Sequence, residues 1–472
     1  MKKKLLTILL FIISILTIQS QSDSTTFSPI ITIDASPGST PYAIASGNLD
    51  GDSFPDLVVG LLYGNKVLHY KNNGNGTFAS AVEVSSLTQV SGLFLADIDG
   101  INGDDILATS FDGNKLVWYA NDGSGNFGSE NVISNNINGA GAVYAANIDG
   151  NIGLDVIVAG FNDNKFVWFS NDGSGNFGTE QTIASGLSGA GDFDIKDFDG
   201  DNDLDVVIST APYSPPGVIE VFYNQLTESG FPTFIIDSNN VTNSGQYLLD
   251  VNFADIDNDG SIDILATDSY SDLAWYKKEG DGSYTKIVIP VSLPSSAIVE
   301  SVDLDNDGDN DLVVSNGSAT GTNDIVWFES DGTSPTTFEA EGTVDGSGTQ
   351  SQVFSMTIND FDNDGDLDIA SAGYNSAGDG VYWIKNQLES LSINEDLKNK
   401  GLSIYPNPAK NILHIKTNLS NIGIATVYNV LGKKVLNTHL SENKSIDISK
   451  LSHGIYILKF SNSDKAFKFI KE

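Results

Sequence analysis

Apolar positions along this chain fall in short runs, such as LVVG from Leu57, ILAT from Ile106 and VIVAG from Val156, each bounded by Asp, Asn and Gly. A polar turn leads to a second run, as in KLVWYAN (Lys115 to Asn121) and KFVWFSN (Lys165 to Asn171). A Gly-rich turn of the type NDGSGNFG and a third run such as SENVIS follow, and another apolar stretch opens the next unit. The runs are too short for helices, lack a 3.6-residue period and are rich in β-branched and aromatic residues. They read as strands separated by tight turns. Four strands per unit are predicted.

The unit recurs. NLDGDSFPD, DIDGINGDD, NIDGNIGLD, DFDGDNDLD, DIDNDGSID, DLDNDGDND and DFDNDGDLD begin at Asn48, Asp97, Asn147, Asp197, Asp255, Asp303 and Asp360, spaced 49, 50, 50, 58, 48 and 57 residues apart. Four strands in roughly 50 residues is the size of one propeller blade, so the spacing predicts a seven-bladed β-propeller over 25–388. The seventh unit stops after GVYWIKNQ, Gly380 to Gln387, without its outermost run. TTFSPIITID, Thr25 to Asp34, resembles that run, so the first strand is expected to complete the last blade and leave no open edge.

Charge narrows the function. With 62 acidic against 24 basic residues the formal net charge is -38, which disfavours nucleic acid and anionic membranes and favours cations or neutral partners. All basic residues are lysines, so the guanidinium fork that grips phosphate or carboxylate is missing, and the absence of cysteine excludes disulfides and thiolate metal sites. Lys2-Lys3-Lys4 ahead of an apolar run from Leu5 to about Ile18 reads as a signal peptide over 1–20, too short to span a bilayer. The mature chain is expected to carry no transmembrane helix and to be secreted or attached to the outer surface.

The acidic segments are the candidate chemistry. In the fifth, Asp255, Asp257, Asp259 and Asp263 hold positions 1, 3, 5 and 9. Four carboxylates so close repel one another, and a hard cation removes that cost; calcium takes six to eight oxygens at flexible geometry. Asn258 and Gly260 suit the left-handed backbone such a loop needs. Ala266 at position 12 rules out an EF-hand. The fourth, sixth and seventh loops repeat the set as Asp197, Asp199, Asp201, Asp205; Asp303, Asp305, Asp307, Asp311; and Asp360, Asp362, Asp364, Asp368. The first, with Asn48, Asp50, Asp52 and Asp56, keeps the pattern with one charge fewer. The second, with Asp97, Asp99 and Asp105 but Ile101 at position 5, and the third, with Asp149 and Asp155, are expected to be weak or empty. Several structural calcium ions are the expected cofactor.

These loops resemble those of the FG-GAP/VCBS family, whose propeller also forms the head of integrin α chains. The resemblance covers about 25–388 and implies structural calcium in the loops, with ligands met on another face of the ring.

Trp118, Trp168, Trp275, Trp327 and Trp383 share one place in the repeat, where blades one and four have His69 and Phe222. A sugar-stacking platform is conceivable, but the apolar neighbours favour packing. No nucleophile elbow, phosphate loop or His cluster appears, so no catalytic residue is assigned. Asp192 and Asp194 could form a general acid and base; a solvated surface is the preferred reading. Two function classes remain: a non-catalytic adhesion scaffold for a glycan or protein, and a secreted polysaccharide lyase or glycosidase on the same scaffold. Inserts at Pro212 to Pro216 and Glu228 to Asn243 are the candidate partner face.

Past Leu388 the Gly/Asp turns cease. A linker over 389–401 leads to a tail in which, beyond Leu391, twelve lysines face six acidic residues. Alternating runs predict a small immunoglobulin-like β-sandwich of about seven strands over 402–472. Tyr405-Pro406-Asn407-Pro408, Tyr428 to Lys433, Leu451, Gly454 to Leu458 and the terminal lysines resemble the type IX secretion sorting domain of Bacteroidota. That resemblance implies the type IX machinery as partner, passage through the outer membrane, and release or surface attachment. A carbohydrate-binding module is the competing reading of the tail.

Overall fold

A computed structural model describes residues 27–387 and 402–472, apart from 211–216, 227–230, 240, 242–247, 269–272, 292, 319–323, 332–336, 339–341, 346, 348, 351, 374–378, 418–423, 430–432, 440–443 and 461–462. The expected signal peptide, the linker and the Pro212 to Pro216 insert lie outside the described residues, whereas the second insert is described at 231–239 and 241 and carries a short strand, Phe234–Ile236.

The fold is all-β, and the chain divides into two compact units, Met1–Leu388 and Glu389–Glu472. Among the described residues the first holds seven antiparallel four-stranded sheets. The second blade shows the pattern: β6 (Val90–Ala96), β7 (Asp105–Ser110), β8 (Lys115–Tyr119) and β9 (Asn131–Ser134) follow one another across the sheet. Burial explains the composition of each strand. The innermost mixes buried and half-open positions, the next two are buried almost throughout, and the fourth is half-buried with one open position. A strand covered on both faces by neighbouring sheets can be apolar at every position, which is why the middle runs are unbroken.

Innermost strands pack blade against blade around the ring. β2 (Pro41–Gly47) touches both β6 and β26 (Val353–Asn359), the innermost strands of the second and seventh blades. The last sheet is made from both ends of the unit. β1 (Ile31–Asp34) lies antiparallel on β28 (Gly380–Ile384), with Ile31 opposite Trp383 and Thr32 opposite Tyr382.

All five tryptophans are buried, between 1% and 9% exposed. Their packing gives the Gly-rich turn its reason. Gly175, in the third blade's turn, has φ +73°, and a Cβ there would come within 2.5 Å of the Trp118 ring of the second blade. The turns of the first and second blades do the same, Gly76 lying over Trp383 and Gly125 over His69.

The second unit is a sandwich. β29 (Leu402–Tyr405), β30 (Ile412–Thr417) and β33 (Ser445–Asp447) form one sheet; β31 (Ala425–Asn429), β32 (Lys434–Thr438), β34 (Gly454–Phe460) and β35 (Ser463–Lys471) form the other. Leu413, Ile415 and Ile446 from the first meet Val427, Leu458 and Phe469 from the second in a shared core.

Candidate metal centres

Each acidic loop joins the innermost strand of a blade to its second strand. In the fifth, Asn258 and Gly260 have φ +51° and +86°, and those left-handed residues curl the loop on itself. Position 1 is spent on closing the turn: Asp255 accepts the Asp259 N–H at 3.2 Å and the Gly260 N–H at 3.0 Å, as Asp303 and Asp360 do in their loops.

Position 9 has a different task. In every blade this Asp is the first, buried residue of the second strand. Asp105 Oδ1 accepts the Asn121 N–H at 2.8 Å, and Oδ2 accepts the Ile98 N–H at 2.9 Å. Asp155, Asp205, Asp311 and Asp368 bracket the same two backbone positions of their own blades. In the first and fifth blades a ring nitrogen serves Oδ2, from His69 to Asp56 at 3.3 Å and from Trp275 to Asp263 at 2.8 Å. Burial pushes Asp105, Asp155 and Asp263 up to about 6, and Asp205, Asp311 and Asp368 to about 7, against the pull of their backbone hydrogen bonds. A carboxylate used on both oxygens is first a structural bracket.

The remaining carboxylates gather unevenly. Three oxygens lie within 4.8 Å of one another in Asp97, Asp99 and Asp105; in Asp197, Asp199 and Asp205; in Asp255, Asp257 and Asp259; in Asp303, Asp305 and Asp307; and in Asp360, Asp362 and Asp368. The second loop, expected to be weak for want of a ligand at position 5, thus assembles a group from positions 1, 3 and 9. The first loop forms no such group among the described residues: its position 1 is the amide Asn48, Lys71 holds Asp50 and lies 3.4 Å from Asp52, and Asp56 faces His69. Asn48 accepts the Gly51 N–H and serves the turn. Asp149 and Asp155 of the third loop provide two carboxylates, joined through the Asp149 N–H.

Whether these groups fit a cation is decided at position 3. Asp257 Oδ1, Asp305 Oδ2 and Asp362 Oδ1 are buried and make no hydrogen bond. Asp257 and Asp305 are each only 2% exposed. A buried charged oxygen without a partner costs several kcal/mol, on the order of 1–3 or more, unless an ion meets it. Burial, then Asp311 and Asp307, pushes Asp305 up to about 7, so the loop resists holding all its charges at once. An oxygen-only set of close carboxylates with an unmet lone pair is the donor chemistry of a hard divalent cation.

Two groups of residues escaped the sequence reading. Asn72, Asn121, Asn171, Asn224 and Asn386 stand at or just past the end of the third strand, and each side-chain amide donates to the carbonyl of position 2 in the preceding blade's loop, at 2.7–3.1 Å. Their recurrence at one place in the repeat was the available signal. The others are Lys71, Lys277 and Lys385, discussed below. Asp192 and Asp194 are half-buried: they lie on β14 (Ala190–Lys196), the fourth blade's innermost strand, line an open cavity, and accept the N–H groups of Val251 and Phe253 in the next blade, at 3.4 and 2.9 Å. Burial, then Asp250, holds Asp192 well above its ordinary value. Among the described residues no helix is long and apolar enough to cross a membrane.

Comparison with known proteins assigns the two units separately. An FG-GAP-like repeat profile matches 48–100, 148–208, 255–314 and 303–371, and a secretion system C-terminal sorting domain matches 403–472. No curated protein matches the chain. Among solved structures, two crystals of BBS1N in complex with ARL6DN, soaked with mercury and with lead, align over 78% of this chain and 98% of theirs, at 9% identity and TM-scores of 0.52 and 0.53. An Agrocybe aegerita lectin that recognises non-reducing terminal N-acetylglucosamine aligns over 66% of this chain and 82% of its own, at 18% identity and TM-score 0.47. The first two show likeness of fold alone.

Proposed function

Because this is an FG-GAP-like repeat protein with a secretion system C-terminal sorting domain, we propose that it works outside the cell as a calcium-stiffened, non-catalytic scaffold that binds a glycan or a protein. The sorting domain implies a secreted or outer-surface location and engagement by the type IX machinery. The observation that carries the calcium reading is the pair of buried, unpartnered oxygens on Asp257 and Asp305, each set in a group of three carboxylates. Positions 1, 3 and 5 of loops five and six, and positions 1, 3 and 9 of loops two, four and seven, would hold the ions. Bound there, calcium neutralises the loop and ties the innermost strand to the second strand of its blade.

The non-catalytic reading rests on how the acidic side chains are spent. Asp192 and Asp194, the pair most suggestive of acid–base chemistry, each give one oxygen to a backbone N–H of the neighbouring blade. Binding of the secreted protein to a glycan and matrix-protein array, with calcium and with chelator, tests the proposal; the expected result is calcium-dependent capture without substrate turnover. Product release from a polysaccharide panel would replace this reading with the enzyme alternative. A melting temperature indifferent to chelator would remove calcium from it.

A further inference from the structure

One position beside the acidic loops stands two residues past the recurring tryptophan, or past His69 in the first blade. It is lysine in three blades, Lys71, Lys277 and Lys385, and glutamate, Glu329, in the sixth. Lys277 Nζ contacts Asp257 Oδ2 and lies 3.0 Å from Asp259 Oδ2. Lys385 repeats the arrangement against Asp362 and, at 2.6 Å, Asp364. Lys71 contacts Asp50 and lies 3.4 Å from Asp52. In all three the ammonium takes Oδ2 of positions 3 and 5.

The lysine does not fill the loop. In loops five and seven the other oxygen of position 3, Oδ1 of Asp257 and Asp362, stays buried and unpartnered. One side of the carboxylate is clamped while the other is left for a cation. Loop six has the opposite balance: a fifth carboxylate stands where the lysine would be, and Asp305 Oδ2 is the oxygen left unmet.

We propose that this flanking residue sets how strongly each loop depends on calcium: Lys71, Lys277 and Lys385 act as built-in counter-ions that keep loops one, five and seven folded but weak for metal, whereas Glu329 makes loop six the tightest site. The inference rests on the calcium reading above and goes beyond it, because four Asp at positions 1, 3, 5 and 9 make loops four to seven look equivalent. The physical cause is Coulombic. An ammonium within a few ångströms of a divalent ion repels it at low effective dielectric, enough for an affinity change on the order of tenfold or more.

The test uses the full secreted chain, calorimetric titration with calcium, and melting in chelator. Lys277→Met is expected to lower the melting temperature in chelator, recover it with calcium, and tighten one weak site about tenfold or more. Glu329→Lys is expected to remove the tightest site and reduce the melting shift caused by chelator; it keeps the proposal testable if Lys277→Met fails to fold. Tight binding in the native chain with both variants unchanged would overturn this proposal alone. A flat calcium isotherm in the native chain would overturn the calcium reading and this proposal together.

Discussion

The side-chain amide of Asn72 donates to the carbonyl of Phe361 at 2.7 Å, joining residues 289 positions apart across the seam between the first and last blades. Phe361 is position 2 of the seventh loop, so the contact that closes the ring is the same one that links Asn121 to Leu49 and Asn171 to Ile98. Blade-to-blade cohesion thus runs through the acidic loops even where no carboxylate is involved.

Asn72→Ala should therefore destabilise the propeller by about 1–3 kcal/mol, because it strands a buried carbonyl and the Gly74 N–H that its own oxygen accepts. Chemical denaturation of the variant beside Asn121→Ala checks this. Wild-type stability in both would show that the stitch is dispensable.

Asp155→Asn separates architecture from metal. The third loop offers two carboxylates, yet Asp155 accepts the N–H groups of Asn171, Ile148 and Asp149 at 2.9–3.1 Å. An amide nitrogen placed against one of these donors should cost about 2–4 kcal/mol. The loss is expected to be the same in calcium and in chelator; a loss seen in calcium alone would make Asp155 a ligand first.

The pH dependence of the metal-free protein follows from the brackets. Asp205, Asp311 and Asp368 rise from 3.8 to about 7, so between these values the folded chain holds more protons than the unfolded one. Stability is then fullest below about 4 and declines as pH rises through about 7. In chelator the melting temperature should fall from pH 5 to pH 8, whereas calcium, which competes with protons for the loops, should flatten or reverse the trend. A rise in chelator over that range would contradict the assignment.

Gly175→Ala should lower stability by about 1–3 kcal/mol, since the added Cβ both overpacks the Trp118 ring and occupies a positive-φ position. Near-ultraviolet circular dichroism would report the displaced indole. An unperturbed spectrum with unchanged melting would show that the turn has room to shift.

Much of this protein was legible because a repeat displays its own rules. Short β-branched runs, Gly and Asn turns and acidic segments at a near-constant period gave an all-β fold of four-stranded sheets, and the left-handed Asn258 and Gly260 of the fifth loop followed from residue type alone. What each carboxylate touches was not legible, because its partner is a backbone N–H or carbonyl whose position the side-chain sequence does not encode. Asp105 and Asp99 look alike as letters, yet one brackets two strands while the other curls a loop.

The neighbours Lys277 and Lys278 show the division most sharply. Sequence alone determined that two cations follow Trp275 and Tyr276 on one strand. Only the tertiary structure decided that Lys277 turns into its own fifth loop while Lys278 crosses to the fourth, donating to the Phe198 carbonyl at 2.8 Å and lying 3.7 Å over that ring. Successive side chains on a strand point to opposite faces, and in a ring of sheets those faces belong to different blades.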